Sequence, residues 1–326
     1  MAKVSVIIPI FGVERFISRC THSLLAQSLQ DIEYIFVDDA STDGSMSILS
    51  TVIAEFPQRA SQIKILTHER NKGLPAARNT GLSVATGEYI FHCDGDDFVE
   101  TDMLENLYEA AVLHNADAVW CDYYLSYENS ERYMKQPCYE TSVKALKGML
   151  CGRMKYNVWN KLVSRRLYVD FHIQFPSGYA MGEDMTMMKL FSHAERVAYV
   201  PKAFYHYVQW NAGAMTREFT PQHLAALEHN TGEILSFMKE RYGSDWNQDI
   251  YSFCMLMKWP FLISNKKSMY ELWRQWFPEA NAYIWQDKQV SWRIRFIEWC
   301  ASKGWFGIVW LHYWIVIRWL YSIIYK

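Results

Sequence analysis

The stretch Glu88-Tyr89-Ile90-Phe91-His92-Cys93-Asp94-Gly95-Asp96-Asp97-Phe98 constrains this chain more than any other. An apolar run that reads as a buried strand ends abruptly in three carboxylates within four residues. Carboxylates so close together repel one another and cost free energy if left dry and unpaired. At the C-terminal end of a strand the usual remedy is a hard divalent cation that bridges to a phosphate. The competing reading is a solvated acidic turn capping the next helix, with Asp97 or Thr101 as the cap.

The segments around this stretch repeat one pattern. Val4–Pro9 reads as a strand and Glu14–Leu25 as a helix, with Phe16, Cys20 and Leu24 at helical spacing. Tyr34–Val37 is a second strand, ending in Asp38-Asp39-Ala40-Ser41-Thr42-Asp43-Gly44-Ser45. A helix to Glu55, a strand at Lys64–Leu66, a turn at Asn71-Lys72-Gly73 and a helix from Pro75 to Ala85 follow. The acidic stretch, a helix over Asp102–His114 and a strand at Ala118–Cys121 complete the series. Short apolar strands alternating with helices predict an α/β fold, a Rossmann-like, mostly parallel sheet flanked by helices. Ligands of such sheets lie beyond the strands' C-terminal ends, where both acidic clusters stand.

Neither GxGxxG after the first strand nor GxxxxGK[ST] anywhere is present, so the two commonest phosphate-cradling loops are missing. A nucleotide held here needs carboxylates for base and ribose, with Asp38 and Asp39 as candidates, and a metal plus basic residues for the diphosphate. Lys72 and Arg78 lie between the two acidic loops and could supply positive charge; for Lys72 a solvated surface position is the simpler reading. A formal net charge of −2 over 326 residues gives no footing for nucleic-acid binding, and half the residues are hydrophobic, enough for a sizeable core. Seven scattered cysteines with no CxxC pair read as free thiols in a reducing compartment. Val4–Phe11 is interrupted by Pro9 and has no small-residue cleavage site after it, so it reads as a first strand rather than a signal peptide.

Four blocks stand in order: Val6–Phe11, Val37–Ser45, Asn71–Gly81 and Cys93–Asp97. Together they closely resemble the family 2 glycosyltransferases, inverting nucleotide-sugar enzymes of the GT-A fold. The resemblance implies a DxD-type site in which Asp96 and Asp97 touch the ribose and a Mg²⁺ or Mn²⁺ on the diphosphate, with Asp94 beside them. It implies that Asp39 accepts the uracil N–H, that Pro9 and Phe11 flank the base, and that Arg78 contacts the nucleotide. Ala40 and Gly95 stand where the family more often has Gly and Ser, and neither departure removes a ligand.

Asn157–Leu162 and Gly182-Glu183-Asp184-Met185 match two further blocks of that family. Inverting transfer needs a base to deprotonate the acceptor hydroxyl as it attacks the anomeric carbon from the face opposite the diphosphate. The resemblance gives that role to Asp184, with Glu183 as runner-up; the alternative is an acidic pair at the start of a helix. Trp159 is a candidate to pack under an acceptor sugar or to fill the core. His206 is a candidate third metal ligand, though a hydrogen-bonded, partly buried histidine is the plainer reading, and Arg217 is a candidate contact to the leaving group.

The expected organisation is a GT-A domain over 1–220 (nucleotide-sugar half 1–122, acceptor half 123–220), a helical appendix over 221–291 and an aromatic, basic segment over 292–326. In that last segment Arg293, Arg295, Lys303, Arg318 and Lys326 face Glu298 alone, and Trp305–Tyr325 is almost wholly apolar. Tryptophans and basic residues around an apolar helix mark a membrane interface, here as a tilted monotopic helix. The expected function is transfer from a UDP-sugar to a glycan or lipid-linked glycan in surface-polysaccharide assembly, peripheral or monotopic on the cytoplasmic side of a bacterial inner membrane. The alternatives are an inactive nucleotide-sugar-binding scaffold and a sugar-phosphate nucleotidyltransferase. The latter wants a Gly-rich basic loop after the first strand, which Ile10–Glu14 is not.

Overall fold

The computed structural model describes residues 2–211, 220–288 and 290–320. It divides into two compact units, one formed by Met1–Leu146 with Met154–Asn230, the other by Lys147–Arg153 with Thr231–Lys326.

The first unit is built on a nine-stranded sheet among the described residues. Its strands are β1 (Val4–Ile10), β2 (Ile32–Asp38), β3 (Ile63–Thr67), β4 (Tyr89–His92), β5 (Phe98–Val99), β6 (Ala118–Ser126), β7 (Glu131–Met134), β8 (Lys161–Ser164) and β9 (Val197–Val208). The order is β3-β2-β1-β4-β8-β6-β9-β5, with β7 paired to β6. β1, β2, β3 and β4 pair in parallel, as the alternation with helices α1 (Ile17–Leu25), α2 (Ser45–Ala54) and α3 (Leu74–Val84) predicts. Helix α4 (Met103–His114) leads into β6, which runs past Cys121 to Ser126 and turns back as β7. Residues 118–134 therefore form a β-hairpin, whereas the sequence reading ended the strand at Cys121. The antiparallel pairings, β4–β8, β5–β9, β6–β7 and β6–β8, each involve a strand that follows β4 in the chain.

Every residue of β1 and β2 is buried, including the polar side chains of Ser5 and Glu33, where Ser5 Oγ donates to Glu33 Oε2 at 2.6 Å. Ile10 stands opposite Asp38, and Ile7 opposite His92, so the acidic segments after β2 and β4 open at one edge of the sheet. Helix α3 lies close against β1: a Cβ added at Gly81 would sit 2.5 Å from Ile7 Cγ2. That approach brings Arg78, one turn earlier, to the same edge. Ala40 holds a φ of 60°, a left-handed conformation that L-residues adopt at a cost of about 1 kcal/mol or more. Glycine there is free of that strain, so Ala40→Gly is expected to stabilise the protein by about 0.5–1 kcal/mol, read as a higher urea midpoint with unchanged slope.

Helices α5 (Ser142–Leu150), α6 (Arg165–Asp170), α7 (Thr186–His193) and α8 (Pro221–Tyr242) follow in chain order. The second unit contains α9 (Asn247–Leu262), α10 (Lys267–Gln275), α11 (Trp292–Ser302) and α12 (Phe306–His312), which continues as a π-helix over Tyr313–Leu320. Its core is Phe253, Phe261, Tyr270, Trp273, Ile297 and Val309. Lys258 is buried inside it, its Nζ 2.9 Å from Asn281 Oδ1 and 4.1 Å over the Trp273 ring, and burial lowers its pKa to about 8. Trp292 is 71% exposed, and Trp305, Trp310, Leu311, Trp314 and Ile315 are also well exposed. Among the described residues no helix is long and apolar enough to cross a membrane. Positions 321–325 of the apolar run lie outside the described residues.

Candidate active site

The site gathers on Arg78. Its side chain is 1% exposed, and its guanidinium meets three carboxylates from two distant segments. Nη2 donates to Asp94 Oδ1 at 2.8 Å, and Nη1 donates to Glu183 Oε1 and to Asp184 Oδ1, each at 3.1 Å. Phe175 lies beneath, its ring centre 5.5 Å from the guanidinium carbon. Burial alone would lower the Arg78 pKa, but the carboxylates outweigh it and hold it above its ordinary value. The Nε–H has no acceptor among the described residues. Burial, and then the charges of Glu183 and Asp94, push the Asp184 carboxyl up to about 7, against the pull of Arg78 and Lys161. Asp184 keeps a 24% exposed side chain, whereas Glu183 has 10%. A partly open carboxylate poised near neutrality is the state a general base needs.

The three carboxylates of the strand-end cluster have different surroundings. Asp94 is 25% exposed at its side chain and bonded to Arg78. Asp96 accepts from Asn211 Nδ2 at 2.7 Å, and its pKa is raised by burial and by Asp94. Asp97 is fully buried: Tyr205 Oη donates to its Oδ2 at 2.7 Å and the Val208 N–H to its Oδ1 at 2.8 Å. The Asp94 N–H also donates to Tyr205 Oη, at 3.1 Å. Asp97, read from sequence as a metal-contacting residue, thus has both oxygens turned into the core.

Asp39 is equally enclosed. Its Oδ1 accepts from His68 Nδ1 (2.7 Å) and the Lys72 N–H (2.8 Å), and its Oδ2 from the Gly73 N–H (2.8 Å). Asp38 Oδ1 takes the Ser41 N–H at 2.8 Å, so the two aspartates shape the turn after β2 and the start of α3. Lys72 is exposed at its side chain and joins the cluster through its backbone. Pro9 is buried, whereas Phe11 stands 53% exposed at the end of β1. Arg217 lies outside the described residues.

Trp159 is in the core, stacked on Tyr205 at 4.5 Å and edge-on to Tyr123 at 4.8 Å. His206 lies between the Phe98 and Tyr124 rings, with Nε2 2.9 Å from Glu100 and Nδ1 2.7 Å from Glu131. Those contacts make it a hydrogen-bonded strut of β9. Lys161 is 1% exposed, and its Nζ donates to the carbonyls of Lys155 and Asn157 (each 2.7 Å) and to Asn160 Oδ1 (2.8 Å). Tyr205, His68 and Asn211 escaped the sequence reading because each acts on a carboxylate far away in the chain.

Among the described residues no group of three or more His, Cys, Asp or Glu side chains could by itself enclose a metal ion. The donor set still suits Mg²⁺ or Mn²⁺. Burial and the neighbouring Asp94 raise the Asp96 pKa, which favours a positive charge beside it, while the Arg78 guanidinium is shared among Asp94, Glu183 and Asp184. Such ions need only one or two carboxylates when phosphate oxygens and water complete the shell.

A parallel half-sheet with acidic segments at its C-terminal edge, joined to a mixed second half that brings up the Glu183–Asp184 pair, is the GT-A layout. The fold agrees with S. aureus TarS, at a TM-score of 0.71 and 20% identity over 95% of this chain and 91% of that one. The profile described as Glycosyl transferase family 2 matches residues 5–184. The cholesterol galactosyltransferase of Borreliella burgdorferi is 34% identical over 248 residues, 72% of this chain and 67% of its own length. The uncharacterized glycosyltransferase EpsJ of Bacillus subtilis is 33% identical over 213 residues, 63% of this chain and 60% of that protein. The chain belongs to glycosyl transferase family 2.

Proposed function

We propose that the chain moves a sugar, with inversion, from a UDP-sugar to a glycan or lipid-linked glycan in the assembly of cell-surface polysaccharide, at the cytoplasmic face of a bacterial membrane. The observation that carries this reading is the Arg78 node. One buried guanidinium brings Asp94, from the segment after β4, within one side chain of Glu183 and Asp184, from the segment before α7. A donor held at the first and an acceptor deprotonated at the second would meet across Arg78.

In this reading Asp184 takes the proton of the acceptor hydroxyl, and Glu183 shares the guanidinium with it and keeps it aimed. Asp94 and Asp96 hold Mg²⁺ or Mn²⁺, which would neutralise the diphosphate leaving group, while Asp97 braces the loop from below. Asp38, Asp39, Pro9, Phe11 and the Lys72 backbone form the nucleoside end, and Arg217 falls to the diphosphate. TarS has been crystallised with UDP-GlcNAc and with UDP, and a Pyrobaculum calidifontis mannosyltransferase of similar fold with GDP-mannose and Mn²⁺. Those neighbours favour a uridine donor and a divalent ion without fixing the sugar. The relative that galactosylates cholesterol favours a lipid-borne acceptor.

Exposed Trp292, Trp305, Trp310 and Trp314 with Arg293, Arg295 and Lys303 support contact with an anionic lipid surface. Removing the whole segment would strip Ile297, Cys300 and Val309 from the core, so substitutions at the surface are the cleaner probe. The test is a screen of UDP- and GDP-sugars with Mn²⁺, following nucleotide release with and without lipid extract. A UDP-sugar is expected to be hydrolysed, faster with extract, and EDTA to stop it. The full chain is expected to float with phosphatidylglycerol vesicles, and a Trp292→Gln, Trp310→Gln, Leu311→Gln variant to stay behind. No release from any nucleotide sugar would end the donor reading, and equal flotation of the variant would end the membrane one.

A further inference from the structure

The loop between Phe175 and Glu183 takes no part in the chemistry above, yet both its feet stand on Arg78. The Phe175 ring lies 5.5 Å from the guanidinium carbon, and Glu183 Oε1 is 3.1 Å from Nη1. Between these feet the chain makes a compact excursion of the kind that often carries function. It is pinned at both ends. Asn79 donates through Nδ2 to the Phe175 carbonyl (2.8 Å) and Ser177 Oγ (3.1 Å), and its Oδ1 accepts the Phe175 N–H (2.9 Å). Asn230 Nδ2 donates to the carbonyls of Ala180 (2.9 Å) and Met181 (2.8 Å). Gly182, at a φ of +92°, then turns the chain into Glu183.

Tyr179 stands at the tip, four residues from each foot and therefore within about 14 Å of either along the chain. Its ring is stacked on His229 at 3.7 Å and 14°, yet the residue stays 39% exposed. One face is thus fixed by an imidazole while much of the side chain remains open beside the catalytic carboxylates. Residues Pro176 to Gly182 carry no charged side chain, so an anionic ligand finds no partner in the loop. A pyranose is the neutral ligand that fits: its C–H face covers an aromatic ring while its hydroxyl rim stays in water, and a pre-stacked tyrosine loses little freedom on binding.

We infer that the Tyr179–His229 stack is the docking platform for a neutral pyranose of the acceptor, a short way back from the hydroxyl that reacts. This rests on the proposed transfer to a glycan, and it adds the residue that selects an acceptor already bearing a sugar. The test is saturation-transfer NMR of the full chain, loaded with UDP and Mn²⁺, against methyl and octyl pyranosides of glucose, galactose and N-acetylglucosamine. At least one is expected to receive saturation on its ring C–H protons. Tyr179→Ala is expected to weaken that binding about tenfold, equivalent to about 1.4 kcal/mol, whereas Tyr179→Trp retains it. His229→Ala, which removes the support and leaves Tyr179, is expected to weaken it less. UDP affinity by calorimetry reports whether each variant is folded. Undiminished binding by Tyr179→Ala, or no pyranoside bound by UDP-loaded protein, would overturn the inference. Because binding is read without turnover, a chain that binds pyranosides through Tyr179 but hydrolyses no nucleotide sugar would sink the donor reading and leave this one standing.

Discussion

Replacing Asp184 by asparagine is expected to cut turnover by roughly 10²–10⁴-fold, the range for a lost general base, while UDP affinity stays near that of the parent. The amide keeps the shape and one oxygen for Arg78 but cannot take a proton. With its pKa raised to about 7 by burial and by Glu183 and Asp94, Asp184 is protonated below neutrality. The acid limb of kcat/KM in the parent should therefore fall near pH 7, and Asp184→Asn should lose that limb along with the rate. Loss of one of two adjacent carboxylates also relieves repulsion, so the variant should unfold no more readily than the parent. Glu183→Gln is the control. If it, and not Asp184→Asn, removes the acid limb, the roles of the two are reversed.

Arg78→Met is expected to be the most damaging single change to stability, at about 3–5 kcal/mol, the range for breaking a buried ionic group by removing one partner. Methionine fills much of the volume, but Asp94, Glu183 and Asp184 lose their common counter-charge. The sign of the pH dependence separates this cause from simple loss of packing. Without the guanidinium these carboxyls hold protons more tightly in the folded protein than in the unfolded chain. The folded state then binds the extra protons, so the deficit is full only above the raised carboxyl pKa values, which lie higher than the about 7 that Asp184 has beside Arg78, and it shrinks as pH falls. Urea denaturation of both proteins across that range measures it. A deficit that does not change with pH would mean that Arg78 acts by packing alone. Arg78→Lys keeps a charge but cannot fork to three carboxylates, and is expected to recover only part of the loss.

The parallel half of the sheet was legible because its code is local. Val6–Ile10 and Tyr34–Val37 are apolar runs, and the acidic clusters sit where the runs of β2 and β4 stop. The candidate residues were also legible as types, since adjacent carboxylates demand a reason wherever they occur. What they bond was not. Arg78 lies 105 positions from Glu183, and nothing between them announces the pairing. The same holds for Asp96 and Asp97, identical and adjacent in sequence. One is held by Asn211 and the other engulfed by Tyr205 and Val208, so the difference is set by β9 and the residues just after it, more than a hundred positions on. The direction of β6 to β9 was hidden for a related reason: strands that mix polar and aromatic residues carry no alternation to read.

Asp97 has a consequence for anyone building hybrids of this family. The loop that presents Asp94 and Asp96 is fastened through Asp97 to β9, and Tyr205 is in turn stacked on Trp159. A cut near residue 122, the expected end of the nucleotide half, would exchange β9 along with the proposed acceptor half. The transplanted half would then hold the Asp94–Asp97 loop with another enzyme's clasp. Recombination that keeps this loop's geometry must therefore carry Trp159, Tyr205, Val208 and Asn211 with the first half, so the inheritable unit for the proposed donor site is discontinuous.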